Sequence, residues 1–379
     1  MPSHRSVLIV SNGHGEDAVG ALLARRLAAS GLAVRACPLV GTGDEYLETA
    51  GAIPLLEPRR AFPSGGFSLR GSGRDLRGDL REGLLTHWRA QRAALAKERG
   101  RHGRVAAIGD VYCLWMASAA AAPLVFIATA KSVRNEPYRW LEQRLMRRAA
   151  VIWTRDEPTA QALARGGLPG RYAGNPLMDT IPEPGGGLPI PSEARVILLL
   201  PGSRRDALAN LLLLLKVARQ VSAEEGGVFV AALPRALPVV DVVRAAATRG
   251  WEVDGEFLRS GHTAVLLTRE FGAALAAATV TVGLAGTANE QAAGLGKPVV
   301  AFPVDGAAQF TSRFLALQQR LLGHALVAAL DWEDAARAVV HLLRDPEERR
   351  WRGETGRERM GAGGAVAQIA EDILTRIRS

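Results

Sequence analysis

Short apolar runs recur along this chain, and most are followed by a stretch whose apolar positions fall three and four residues apart. The first is VLIV at residues 7–10. It leads through the glycine-bearing turn SNGHG into EDAVGALLARRLAASG, where the helical spacing stops at Gly31. Strand-like runs return in AVRACPLV, VAAIGD, PLVFIATA and AVIWTR, with helical stretches between several of them. Short strands alternating with helices predict an α/β chain with a parallel, doubly wound sheet.

At residue 182 the texture changes to PEPGGGLPIPSEA, in which neither a helix nor a central strand can continue. The alternation then restarts at VILLLPGSRRDALANLLLLLKVARQ and continues through VFVAALP, TAVLLT, TVTVGLAGTANEQAAGLG and PVVAFP. This predicts two Rossmann-like halves: residues 1–181, a Pro/Gly hinge at 182–192, and residues 193–352. The amphipathic segment at 353–379 is positioned to cross back to the first half.

The stretch from residue 105 to 130 carries one charge and approaches the length of a membrane span. Asp110 and Pro123 cut it into strand, helix and strand lengths, so a buried strand–helix–strand is expected. Two cysteines, Cys37 and Cys113, argue against a disulfide framework. VLIV is too short for the apolar region of a signal peptide, so a cytoplasmic protein is expected. The net charge of +9 is concentrated: Arg59 to Arg104 holds twelve Lys or Arg against four acids, which is +8. Within it Leu76, Leu80, Leu84 and Trp88, interleaved with Arg74, Arg77 and Arg81, outline a basic amphipathic helix. Such a helix suits an anionic membrane surface, the alternative being a helix packed on its own sheet. No nucleic-acid module accompanies the charge, so no nucleic-acid partner is expected.

The chemistry concentrates at strand ends. Gly13, Gly15 and Ala18 formally meet the dinucleotide fingerprint, but Glu16 and Asp17 would repel a pyrophosphate at that helix start. The turn is better suited to presenting His14, Glu16 or Asp17 to a hydroxyl-bearing substrate, or to letting Asp17 cap the helix. Asp110 ends a predicted strand, where open α/β sheets place functional groups; capping explains it equally well. The second half brings cations instead. Gly202 permits close backbone approach, Ser203 offers a hydroxyl, and Arg204 a planar fork suited to phosphate. Gly286, Thr287 and Ala288 open another helix with its amides. Scattered histidines lack metal-ligand spacing, and no metal site is expected.

With these motifs assembled, the chain resembles the lipid-A-disaccharide synthase family over nearly its whole length, and most closely the lipid-A-disaccharide synthase-related glycosyltransferases. LLLPGSR and AGTANEQAAGLGKPVV carry the most specific likeness, with VSNGHGEDAVGALLARRL and YAGNPLMD beside them. The resemblance implies a GT-B fold, two Rossmann-like doubly wound domains facing a central cleft. It implies inverting transfer from a UDP-sugar to a lipid-linked or glycolipid acceptor, by a protein peripheral to the inner face of a membrane. Gly202, Ser203, Arg204, Gly286, Thr287, Ala288, Glu290 and Gln291 would bind the nucleotide sugar; Asp110, Asp17 and His14 are the candidates for the base. No cofactor beyond the donor is implied. The chain departs from the family in three places. NGHGED replaces Gly-Glu-x-Ser-Gly-Asp, an Asp-rich loop is reduced to Asp110, and Gln291 stands where glutamate is usual, leaving the ribose role open between it and Glu290. A UDP-sugar epimerase on the same fold, or a non-catalytic homologue that binds nucleotide sugar or a membrane, are the rival readings.

Overall fold

In a computed structural model that describes residues 3–48, 53–60, 83–203, 205–307 and 310–378, contacts divide the chain into two units. Residues 1–180 and 362–379 form the first, residues 181–361 the second. In the first, β1 (Ser3–Ser11), β2 (Ala33–Pro38), β3 (His102–Gly109), β4 (Leu124–Ala128), β5 (Ala149–Thr154) and β6 (Gly170–Arg171) pair in parallel in the order β2-β1-β3-β4-β5-β6. Val7 to Val10 and all of β4 are buried, as strands covered on both faces must be. That is why these strands read as unbroken apolar runs rather than alternating ones. The apolar stretch from 105 to 130 is β3, a helix Val111–Ala117 and β4, and among the described residues no helix is long and apolar enough to cross a membrane.

Part of the cationic excess is used inside this unit. Glu98 is buried and receives Arg35 at 3.0 Å, Arg101 at 3.2 Å and His102 Nε2 at 2.8 Å. Burial pushes the Glu98 carboxyl up, but the His102 hydrogen bond and the arginine charges outweigh it and hold it below the usual range. Residues 61–82, with Arg74, Arg77, Arg81, Leu76 and Leu80 of the expected basic helix, lie outside the described residues. The described part is a helix Leu84–Lys97 that buries Leu84, Gln91 and Leu95.

The second unit pairs β7 (Val196–Leu200), β8 (Val228–Ala232), β9 (Glu252–Asp254), β10 (Phe257–Ser260), β11 (Thr263–Thr268), β12 (Ala278–Gly283), β13 (Val299–Ala301) and β14 (Leu326–Ala328) in the order β14-β13-β12-β7-β8-β11-β10-β9. The sheet is parallel except at one edge, where β9, β10 and β11 run antiparallel. That edge is a departure from the all-parallel expectation. Asp254-Gly255-Glu256 turns the chain back, with Gly255 at φ 60°, where a side chain would be strained. Both units are thus Rossmann-like α/β domains.

The boundary expected at 352/353 falls inside a helix, Pro346–Met360, and the division comes at Gly361 instead. The reason is close packing: a Cβ on Gly353 would sit 2.4 Å from the Gly296 carbonyl oxygen, and one on Gly356 2.2 Å from that of Ala293. Two missing side chains bind this helix to the second unit. The 182–192 segment holds neither helix nor strand, and its start packs within the second unit, where the Pro182 carbonyl leaves no room for a side chain on Gly272.

Beyond Gly361 the chain belongs to the first unit. Helix Ala365–Arg378 buries Ala365, Val366, Ile369, Ala370 and Ile373, one stripe at helical spacing. That stripe joins Val19, Leu23 and Leu27 of helix His14–Ala29 in one apolar cluster. YAGNPLMD forms its dock. Asn175 N–H donates to the Ala362 carbonyl at 2.8 Å, and the Asp179 carboxylate accepts from Gly364 N–H and, at 2.7 Å, Val366 N–H. A carboxylate on a helix's first amides is stabilised by charge and dipole together. Asp179→Ala should therefore destabilise the first unit by about 1–2 kcal/mol, measured by urea titration, with Asp179→Asn losing less. Equal midpoints for parent and Asp179→Ala would remove this anchor from the account.

Candidate functional site

In a doubly wound sheet the connections leave in opposite directions from one point, and the gap there faces the carboxyl ends of two neighbouring strands. In the second unit that point lies between β7 and β12, paired side by side with β8 beyond β7 and β13 beyond β12. The turns after these two strands are Pro201-Gly202-Ser203 and Leu284-Ala285-Gly286. Gly202 has φ 85°, and a Cβ there would lie 2.9 Å from the Leu284 carbonyl oxygen. Only glycine lets the two turns approach so closely.

Buried amides brace both turns. Asn210 Nδ2, on helix Ala207–Glu224, donates to the Pro201 carbonyl at 2.9 Å. Asn289 Nδ2 donates to the Gly283 carbonyl and to Gln318 Oε1, both at 3.0 Å. Gln318 Nε2, on helix Ser312–Leu322, donates to the carbonyls of Ala285 and Gly286, both at 3.1 Å. Gly283 must be glycine here, since a Cβ would fall 1.8 Å from Asn289 Oδ1. In the trans peptides whose carbonyls are taken up at Pro201, Ala285 and Gly286, the N–H groups of Gly202, Gly286 and Thr287 point the opposite way, whereas the Leu284 N–H donates to the Leu200 carbonyl at 2.8 Å. Helix Thr287–Gly294 begins at Gly286 with no side-chain cap, leaving its first amides for another acceptor. Thr287, Ala288 and Glu290 are half-buried, whereas Gln291 is buried. The structure therefore brings Gly202, Ser203, Gly286, Thr287 and Ala288 to one point; Arg204 lies outside the described residues. The bracing residues Asn210, Asn289 and Gln318 escaped sequence reasoning. Asn210 and Asn289 occupy apolar-stripe positions of their helices, and a polar side chain on such a stripe is the signal that marks them.

In the first unit the same construction falls between β1 and β3. Asn12 Nδ2 donates to Asp110 Oδ1 at 3.1 Å and ties the two turns together. Asp110 also caps helix Val111–Ala117, accepting from Cys113 N–H at 3.0 Å, so capping and a place in the site hold at once. Gly109, at φ 135°, would bring a Cβ to 3.3 Å from Asn12 Cβ and 3.5 Å from Glu16 Cγ. Glu16 Oε1 accepts from Thr129 Oγ1 at 3.0 Å, linking the end of β4. Asn12, Glu16, Asp110 and Thr129 are thus gathered at one point. His14 is exposed and leans the other way, its Cε1 3.5 Å from where a Gly41 Cβ would sit.

Asp17 is not presented to a substrate, which corrects its place among the candidate bases. It is 1% exposed and accepts from Ser11 Oγ at 2.6 Å. Ser11 Oγ lies 2.8 Å from the Tyr46 hydroxyl, and since the serine proton goes to Asp17, Tyr46 must donate to Ser11. Burial pushes the Asp17 carboxyl well above its ordinary range, and the Ser11 hydrogen bond offsets this only in part. Nor does a side-chain cap appear at this helix start. Asp17 shares a helical stripe with Gly20, Ala24 and Leu27, and that periodicity marks it as inward-facing.

Among the described residues, one cluster combines metal-ligating residue types: His341, Asp345 and Glu348. Its groups are already occupied. Asp345 caps helix Pro346–Met360, and Glu348 holds His341 and Arg352, both at 2.6 Å.

The two-domain architecture is that of the GT-B enzymes. The chain matches the calicheamicin glycosyltransferase CalG4 with TM-score 0.66 and 16% identity, over 99% of this chain and 98% of that one. It matches UDP-GlcNAc 2-epimerase from Neisseria meningitidis, solved with UDP-GlcNAc bound, with TM-score 0.57 and 16% identity, over 98% and 100%. It matches MurG from Acinetobacter baumannii with TM-score 0.59 and 14% identity, over 98% and 99%. No protein-family model matches the sequence, and no curated protein does. At these identities the likeness defines the fold class.

The raised Asp17 carboxyl has a pH signature. Its stabilising contribution is complete below the unfolded carboxylate pKa of about 4 and is lost as pH rises through the higher folded value. Asp17→Asn keeps the acceptor for Ser11 and carries no charge, so its stability should fall less between acid and neutral pH than the parent's. Denaturant midpoints across that range test this; parallel pH profiles would contradict a raised Asp17 carboxyl.

Proposed function

We propose that the protein is an inverting glycosyltransferase, moving a sugar from a UDP-sugar to a lipid-linked or glycolipid acceptor. The paired turns at the β7/β12 switch point carry the reading. Two glycines without room for a Cβ, carbonyls held by buried amides and an uncapped helix start suit a diphosphate. Arg204, next in sequence after Ser203, would supply a cation. UDP-GlcNAc in the Neisseria epimerase supports the choice of donor, and the sequence resemblance to lipid-A-disaccharide synthases supports the acceptor class. The half-buried Glu290, rather than the buried Gln291, is the residue with surface available for ribose.

In the reaction proposed, the acceptor hydroxyl attacks the anomeric carbon while its proton passes to Asp110. The bond from that carbon to the diphosphate oxygen breaks with inversion. The amides of Gly286 to Ala288 and the Arg204 guanidinium receive the charge that develops on UDP. Asn12 and the Cys113 amide hold the Asp110 carboxylate in place. With the diphosphate met in this way, the step calls for no metal ion. The protein would work at the cytoplasmic face of a membrane, where such acceptors lie.

A second reading, epimerisation of a UDP-sugar, has specific support in the likeness to UDP-GlcNAc 2-epimerases. The two differ in what they need. Incubation with a UDP-sugar alone would yield a sugar isomer under epimerisation. Under transfer, UDP would appear only when a glycolipid acceptor is added.

The donor site has its own test. Losing one charge-assisted contact costs roughly 1.5–3 kcal/mol, a factor of about 10 to 150 in affinity. Arg204→Ala should weaken UDP by that factor in calorimetry and uridine much less, since the nucleoside lacks phosphates. Unchanged UDP affinity with a normal melting curve would move the donor site away from this turn.

A further inference from the structure

Three helices of the first unit share an unusual surface. Helix Val111–Ala117 packs on helix Leu84–Lys97 on one side and on helix Trp140–Met146 on the other. Trp140 is 69% exposed, Leu141 57% and Leu85 50%, with Trp115 also exposed. Trp115 is part of an aromatic row. Trp88, Tyr112 and Trp115 form a ladder with ring centroids 5.6 and 6.1 Å apart, and the Arg92 guanidinium lies 3.9 Å from the Trp115 ring centre.

The charge around them has one sign. Arg89, Arg139, Arg144, Arg147 and Arg148 are exposed, and Arg92 is half-buried. The three helices contain a single acid, Glu142, and it is taken inward by Lys131 at 2.8 Å and by the Arg139 amide at 2.8 Å. A protein partner recognised by arginines would leave the protruding Trp140 and Leu141 needing a matching apolar pocket. A bilayer interface takes both without one: tryptophan and leucine enter at the headgroup level while arginines meet anionic phosphates.

We propose that this three-helix face docks on an anionic lipid surface, with Trp140 and Leu141 inserted and the surrounding arginines on the headgroups. Docking rests on no step of the transfer reading, and it is measured without donor or acceptor, so either can fail alone.

Flotation of the full chain with phosphatidylcholine vesicles, and with vesicles containing about a third phosphatidylglycerol, provides the test. The parent should bind only the anionic vesicles and be released by about 0.5 M salt. Trp140→Ser with Leu141→Ser, and separately Arg144→Glu with Arg147→Glu, should each lower binding about tenfold or more. Both changes lie on the surface, and circular dichroism checks that the fold is kept. Leu330→Ser, at a leucine of the second unit more exposed than Leu141, should bind like the parent. No binding of the parent to anionic vesicles would overturn the proposal. So would undiminished binding by both pairs, which would transfer the contact to another surface, or a loss with Leu330→Ser as large as with the pairs.

Discussion

A parallel sheet wound in both directions must leave one place where its connections part, and the candidate donor and acceptor residues of this protein are gathered at two such places. The constraint is topological before it is chemical. Between β7 and β12, and again between β1 and β3, the turns from neighbouring strands meet with no crossover helix above them. What the turns expose there is decided by how closely they approach. Gly202 in the second unit and Gly109 in the first both occupy left-handed backbone, and both would bring a Cβ against the facing turn. Removing side chains at the gap converts a packing defect into a surface made of backbone.

The two gaps are finished differently. In the second unit buried amide side chains occupy the carbonyls of Pro201, Ala285 and Gly286, which leaves the N–H groups of Gly202, Gly286 and Thr287 on the opposite side of those peptides. That favours an anion. In the first unit the turn residues are Asn12, Glu16 and Asp110, joined by one hydrogen bond from the Asn12 amide and one from Thr129. That favours a hydroxyl group with a proton to give. The asymmetry between an electropositive and a carboxylate-bearing gap is what makes group transfer from a phosphorylated donor a coherent reading.

Much of this was legible from the chain, for reasons that can be stated. Buried parallel strands are unbroken apolar runs, so VLIV and VILLL announced their elements, and the turns after them followed directly. Asp110 at the end of VAAIG could be placed for the same reason. Asp17 could not be separated from Glu16 by adjacency, although its spacing from Gly20, Ala24 and Leu27 carried the answer; one position of helix rotation decides whether a carboxyl faces ligand or core. The brace from Gln318 needed tertiary contacts with Ala285, Gly286 and Asn289, 29 to 33 residues back along the chain, which no local pattern encodes, whereas Asn210 reaches Pro201 only 9 residues away. The edge hairpin β9–β10 hid in a short polar stretch, because an exposed edge does not require apolar alternation. YAGNPLMD was legible as a motif but not as a dock, since its partner follows nearly two hundred residues later.

The central claim is that the β7/β12 gap receives a diphosphate. A crystal structure of the protein with UDP tests it most directly. The account predicts phosphate oxygens within hydrogen-bonding distance, about 2.7–3.2 Å, of the amides at Gly286 to Ala288 and of the Gly202–Ser203 turn. Bound UDP with its phosphates away from both turns would contradict it.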